Sequence, residues 1–236
     1  MAGINASLKI MAKGPLILAR HEAYIGVLID DLVTKGTGEP YRMFTSRAEY
    51  RLLLRHDNAD MRLREKGNAI GLVNVEDYEK FSQKRNLLEA EIKRLKSTRV
   101  GPSKLSGAGI EGTASLTLEQ LLKRPEVDYG LIERISPSEV NLPLEVQRQV
   151  ETEVKYEGYI AMQKGAVEKL KRSEEKKIPA DFDYRGVGGL STEVLLKLEE
   201  VRPESIGQAG RIPGVTPSAL TLIILAIEKR KRQCRS

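Results

Sequence analysis

The chain has 236 residues, enough to bury one or two cores, and its 40% hydrophobic and 31% charged residues give a globular balance. Aromatics at 5% and the absence of Trp predict an aliphatic, helical core, and the excess of 39 − 33 = 6 basic residues (pI 9.3) favours polyanionic partners such as RNA or an acidic protein face. The lone Cys234 excludes a disulfide framework or thiolate metal cage and fits a reducing, cytoplasmic setting, while no apolar run reaches the roughly 18–20 residues of a membrane span.

In chain order, residues 1–15 read as one helix closed by Gly14-Pro15. Residues 22–33 place Tyr24, Val27, Leu28 and Leu32 at helical spacings, and a Gly/Pro-containing run to Pro40 ends them. A short strand is expected around residues 41–45. Ser46-Arg-Ala-Glu49 then has the form of a capping box, predicting a helix to about His56.

Asn74 and Asp77 mark the next start, followed by Tyr78, Phe81, Leu88, Ile92 and Leu95 on one helix face. Residues 98–115 carry five glycines and prolines without apolar periodicity and read as a mobile loop. Thr117-Leu-Glu-Gln120 is a second capping box, and a short helix is expected over 127–134. Residues 143–176 read as one long helix with Val146, Val150 and Val154 in a stripe, weakened by Gly158 and Gly165. After a loop at 178–190, Ser191 caps a helix, Pro203 suits the first turn of another, and Thr216-Pro217 opens a last one. Leu220, Ile223, Ile224 and Ile227 form its apolar face.

Arg47, Arg51 and Arg55 recur every four residues, so a helix there would line three guanidinium forks along one face, with Arg42 just before it. Such a stripe suits phosphate oxygens, and it equally suits internal pairing with Glu49, Asp57 or Asp60. His56 and Asp60 lack a third metal ligand, and Gly186-Val-Gly-Gly189 lacks the strand and helix of a phosphate cradle. Residues 212–219 between two helices are similar to a helix-hairpin-helix, which with Lys229, Arg230, Lys231, Arg232 and Arg235 would bind nucleic acid on its own. A protein-docking role for the apolar face of the last helix is the third alternative.

The string PYRMFTSRAEYRLLLRHDNAD, preceded by EAYIGVLIDDLVTKGT and followed by KYEGYI (155–160) and RPESIGQAGRIPGVTP (202–217), resembles the MnmG/GidA family over nearly the whole chain. His21 and Arg64 stand where that family more often has Ser and Thr, and residues 98–115 match nothing in it. The resemblance implies a mainly α fold: the C-terminal helical domain of a flavoprotein with a remnant of the end of its FAD-binding domain. Residues 1–60 would be that remnant, 61–180 a helical domain with the flexible 98–115 loop, and 181–236 a subdomain contacting tRNA and a GTPase.

It further implies a tRNA-modifying enzyme that uses FAD, NADH and methylene-folate to place an aminomethyl-type group on C5 of the wobble uridine. Its partner would be the GTPase MnmE, and its full-length form a homodimer. Gly3, Ile4, Asn5 and Ala6 would approach the flavin through a helix N-terminus, whose unpaired amides favour negative charge on the reduced ring. Arg42, Arg47, Arg51, Arg55, Lys229, Arg230, Lys231 and Arg232 would contact tRNA. No G-x-G-x-x-G unit occurs in these residues, so the pyrophosphate site and the family's catalytic cysteines are expected upstream, with no catalytic residue or metal ligand here.

Overall fold

The computed structural model describes residues 1–36, 38–110 and 114–233, and side chains as far as residue 230. The chain opens with helices α1 (Ala2–Ile10) and α2 (Tyr24–Lys35), then α3 (Ala59–Ala69) and α4 (Val75–Ser97). Strand β1 (Arg99–Val100), helix α5 (Pro102–Gly107) and strand β2 (Leu116–Thr117) come next, followed by α6 (Leu118–Leu122), α7 (Tyr129–Ile135) and α8 (Leu144–Lys155). Helices α9 (Glu157–Glu175), α10 (Thr192–Val201), α11 (Ile206–Arg211) and α12 (Pro217–Gln233) complete a mainly α-helical protein. No helix among the described residues is long and apolar enough to cross a membrane.

Contacts divide the chain into two units, residues 1–15 with 51–162 and residues 16–50 with 163–236. In the first unit, α4, α6, α7 and α8 close over Leu88, Leu95, Leu118, Leu121, Leu122, Ile132 and the stripe Val146, Val150, Val154. Each fully buried leucine contributes roughly 1.5–3 kcal/mol. One acid is buried among these apolar side chains: Glu91 accepts two hydrogen bonds from Arg94 at 2.7 Å and one from the Tyr129 hydroxyl at 2.9 Å. Burial and that carboxylate hold the Tyr129 hydroxyl well above its usual range.

Local signals hold where little competes with them. Asn74 Oδ1 accepts from the Asp77 amide at 2.8 Å, and Thr117 with Gln120 forms a full capping box. Ser191 and Thr216 cap α10 and α12 through amides three residues on.

Six local expectations are corrected. Residues 98–115 are not a structureless loop: β1 pairs antiparallel with β2, Arg99 opposite Thr117 and Val100 opposite Leu116, and Val100, Leu105 and Ile110 enter the first core. Residues 111–113 of that stretch lie outside the described ones. The first helix stops at Ile10, the long helix breaks at Tyr156 into α8 and α9, and Pro203 precedes α11, whose cap is Ser205. Residues 41–44 form no strand. Finally, Thr45–Arg47 is a single 3-10 turn and no α-helix runs from Ser46 to His56.

In the second unit, α10, α11 and α12 pack with the 178–190 loop around Leu198, Ile223, Ala209, Phe182 and Tyr184. Ile223 and Ile227 are buried there, with Leu220 and Ile224 packed beside them, so this face of α12 closes its own core and is not free to dock a protein. Gly189 adopts φ 91° with Leu222 against it, which makes the 186–189 turn a packing element and not a phosphate cradle.

Candidate nucleic-acid interface and the ion network that holds it

Helix α2 is turned with its polar side inward. Asp31 and Thr34 are buried with Val27, while Ile25, Ile29, Leu32 and Val33 face outward, contrary to the inward face expected of Leu32. Gly26 permits this placement, because a Cβ there would collide with the Leu18 and Ala19 carbonyl oxygens. The inward acids meet Arg20, only 4% exposed, which donates to Asp31 Oδ1 at 2.8 Å, Asp30 Oδ2 at 2.9 Å and Glu49 Oε1 at 2.7 Å.

Arg211 grips Asp30 with two hydrogen bonds at 2.7 and 2.8 Å and also pairs with Glu174, which accepts from Ser205. Lys35 Nζ at 2.9 Å and the Tyr41 hydroxyl at 2.9 Å complete the shell of Asp31. With Arg47 at 3.8 Å from Asp31, four cations (Arg20, Lys35, Arg47, Arg211) balance four carboxylates (Asp30, Asp31, Glu49, Glu174). A neutral cluster of this kind tolerates burial, whereas loss of one member leaves an uncompensated charge.

The electrostatics follow from that geometry. Burial would push the Asp31 carboxyl up, but hydrogen bonds from Arg20, Lys35 and Tyr41 outweigh it and bring it down to about 2. Burial alone would lower Arg20, yet its bonds to Glu49 and Asp31 hold it above its usual value. Residues 39–50 are therefore attached to a buried charged cluster through Tyr41, Arg47 and Glu49.

What this loop presents outward is an aromatic and basic surface. The Arg47 guanidinium carbon lies 4.9 Å from the Tyr41 ring centroid and 5.7 Å from that of Phe44. Arg42 is exposed, with Glu39 at 3.7 Å as its partner, and Met43 and Phe44 are 41% and 48% exposed.

The expected three-arginine stripe does not form as a helix face. Arg47 belongs to the second unit, while Arg51 and Arg55 belong to the first. Arg55 is engaged by Asp57 at 3.0 Å and Glu153 at 2.7 Å with its side chain only 12% exposed, the internal pairing that its spacing equally allowed. Arg51 is exposed.

The remaining sequence-derived candidates are dispersed. Gly3, Ile4, Asn5 and Ala6 lie in the first turns of α1, where the first helical bond is Asn5 N–H to Met1 O at 3.0 Å, leaving the Gly3 and Ile4 amides outside the helix's own bonding. Lys229 is exposed near the end of α12, and Arg230 pairs with Asp181. Lys231 and Arg232 lie in α12 with side chains outside the described ones, and Arg235 lies outside the described residues. At the α11–α12 turn, Gly214 takes φ 94° and Lys197 Nζ occupies the space a Cβ would need, so the hairpin is crowded by α10.

Among the described residues no group of three His, Cys, Asp or Glu could hold a metal. Sequence reasoning missed Arg20 and Arg211 altogether. The Asp30-Asp31 doublet on a helix otherwise rich in Ile, Leu and Val was the signal that could have pointed to them.

Comparison with known proteins agrees with this fold. Residues 75–164 match the model described as tRNA modifying enzyme MnmG/GidA C-terminal helical domain, and residues 166–236 match its C-terminal helical bundle. Their junction falls beside the unit boundary at residue 162. The chain is 58% identical over 98% of its length to the tRNA uridine 5-carboxymethylaminomethyl modification enzyme MnmG of Thermodesulfovibrio yellowstonii, and 53% identical to that of Geobacter metallireducens. It spans 38% of the length of each. The structure of Aquifex aeolicus GidA is similar with a TM-score of 0.82 at 40% identity, covering 96% of this chain and 36% of that one. Over this span the chain belongs to the MnmG/GidA family and corresponds to its C-terminal portion.

Proposed function

We propose that the chain serves the modification of tRNA at C5 of the wobble uridine, supplying the RNA-contact part of that activity. The observation that carries this reading is 58% identity across 98% of the chain to a relative named for that reaction. The surface of the second unit described above supports it physically: Arg42 and Arg47 remain solvent-accessible there, as Arg51 does on the first unit, and each fork can donate two hydrogen bonds to a phosphate. Arg55 leaves this group because its donors are already taken by carboxylates. Lys229, Arg230, Lys231 and Arg232 form a second basic segment whose charge adds to the attraction for a polyanion.

FAD, NADH and methylene-folate belong to the same proposal. The open amides of Gly3 and Ile4 at the start of α1 fit one anionic edge of a flavin, with Asn5 and Ala6 continuing the turn. No strand–glycine turn–helix unit among the described residues fits the pyrophosphate. The flavin would supply the redox chemistry, and α1 would stabilise its reduced, negatively charged form. The GTPase MnmE as partner, a homodimer in the full-length family member and a cytoplasmic location complete the reading.

The test is binding of unmodified tRNA by the chain across a salt series. A steep fall of log K with log salt is expected, and Arg51→Ala should flatten the slope by about 0.7–0.9, the value for one phosphate no longer neutralised. Binding that is absent at low salt, or insensitive to salt, would overturn the reading.

A further inference from the structure

We propose that Phe44 is a stacking platform for an unpaired RNA base, held in place by Arg47; this rests on the RNA-contact reading above. An exposed phenylalanine alone would carry little weight, since isolated apolar side chains are common on surfaces. What distinguishes Phe44 is how it is supported. Asp31, buried and neutralised by Arg20 and Lys35, accepts the Tyr41 hydroxyl at 2.9 Å. Tyr41 in turn carries the Arg47 guanidinium at 4.9 Å from its ring, and the same guanidinium lies over Phe44 at 5.7 Å.

Arginine has about 2 kcal/mol of side-chain entropy to lose when it is fixed. Here that fixing is shared between two rings and Asp31, so Phe44 sits at the end of a braced chain of interactions that begins in the protein interior. Phe44 nevertheless stays 48% exposed, and Met43 beside it is 41% exposed.

The chemistry around the open ring selects the ligand. A nucleobase offers a flat π face that stacks on an aromatic ring, and its phosphates need cations nearby. Arg42 lies two residues before Phe44 and Arg47 three after it. Bases inside an A-form duplex already stack on one another and cannot meet the ring, so the platform suits a loop or single strand. A ligand matching only the apolar part of this surface would leave the positive charge of Arg42 unanswered.

The chain contains no Trp, so Phe44→Trp installs one indole at the platform. Its emission should be quenched by tRNA and by a short single-stranded uridine-containing oligonucleotide, and left unchanged by duplex RNA. Phe44→Ala should weaken single-strand binding roughly 5- to 150-fold, the range for loss of one stacked base, without changing the salt slope. Phe44→Tyr should retain the affinity. Unchanged indole emission while tRNA binding and its salt slope persist would overturn the platform, assign Phe44 to a protein contact and leave the RNA reading standing. Absence of tRNA binding altogether would overturn both.

Discussion

The two units of this chain solve the problem of burial in opposite ways. The first, around α4, α6 and α8, is a leucine-and-valine core with one satisfied acid, Glu91, inside it. The second has a comparable apolar cluster around Ile223 and Leu198, but its N-terminal segment buries Arg20 and Asp31 instead and turns four aliphatic residues of α2 outward. The contrast shows that the stretch EAYIGVLIDDL through FTSRAEY, on which the resemblance in sequence was read, is largely given over to an ion network. That network fixes the loop carrying Arg42, Phe44 and Arg47. In such a region the residues available to a ligand are the ones that stay accessible at the edge of the network, Arg42, Phe44 and Arg47.

The largest expected effect therefore falls on the second unit. Arg20→Met removes the buried cation shared by Asp30, Asp31 and Glu49, leaving the network one positive charge short, and a loss of about 3–5 kcal/mol is expected in chemical denaturation. A loss below about 1 kcal/mol would mean that the network holds nothing. In the first unit the matching test is Leu121→Ala, which opens a cavity in a fully buried site and should cost about 2–5 kcal/mol. A cost as small as that of a surface substitution would show that the leucine core is loosely packed.

Acid should separate the two regions next. The Asp31 carboxyl is depressed from 3.8 to about 2 in the folded chain, so its contribution is complete above pH 4 and is lost as pH falls from about 4 through 2. Arg20 stays charged throughout. Asp31→Asn should remove that part of the acid transition, and an identical acid profile for wild type and variant would contradict the assignment.

Much of the first unit was legible because its signals are local. Asn74, the Thr117–Gln120 box and the spacing Phe81, Leu88, Leu95 act within one or two turns, and the structure uses each as its chemistry suggests. The segment 41–56 was not legible for an equally physical reason. Ser46 and Glu49 have the spacing of a capping box, but Glu49 accepts from Arg20, 29 residues earlier, at 2.7 Å, so a tertiary ion pair takes the carboxylate that would have capped a helix. Helix α3 escaped notice because none of its side chains is fully buried and no apolar stripe marks it. Residues 98–110 escaped because Val100, Leu105 and Ile110 each anchor a different short piece, too brief for any period to show.

Smaller effects sharpen the boundary between holding and binding. Thr117→Ala, which removes one half of the capping box, should cost about 1 kcal/mol in the first unit. Arg51→Ala should cost less than about 0.5 kcal/mol, because Arg51 is exposed and joins no ion pair among the described residues.

The most direct test of the division between arginines that hold the fold and arginines that meet a ligand pairs Arg51→Ala with Arg55→Ala, melting temperature and tRNA affinity being measured on the same preparations. Arg55 is held by Asp57 and Glu153, so its removal should lower the melting temperature while changing tRNA affinity little. Removal of Arg51 should leave the melting temperature unchanged and weaken tRNA binding by on the order of 1–3 kcal/mol, the cost of a charge-assisted hydrogen bond left unmade. The reverse pattern, with Arg51→Ala destabilising the fold at intact affinity and Arg55→Ala weakening tRNA binding at intact stability, would contradict the account.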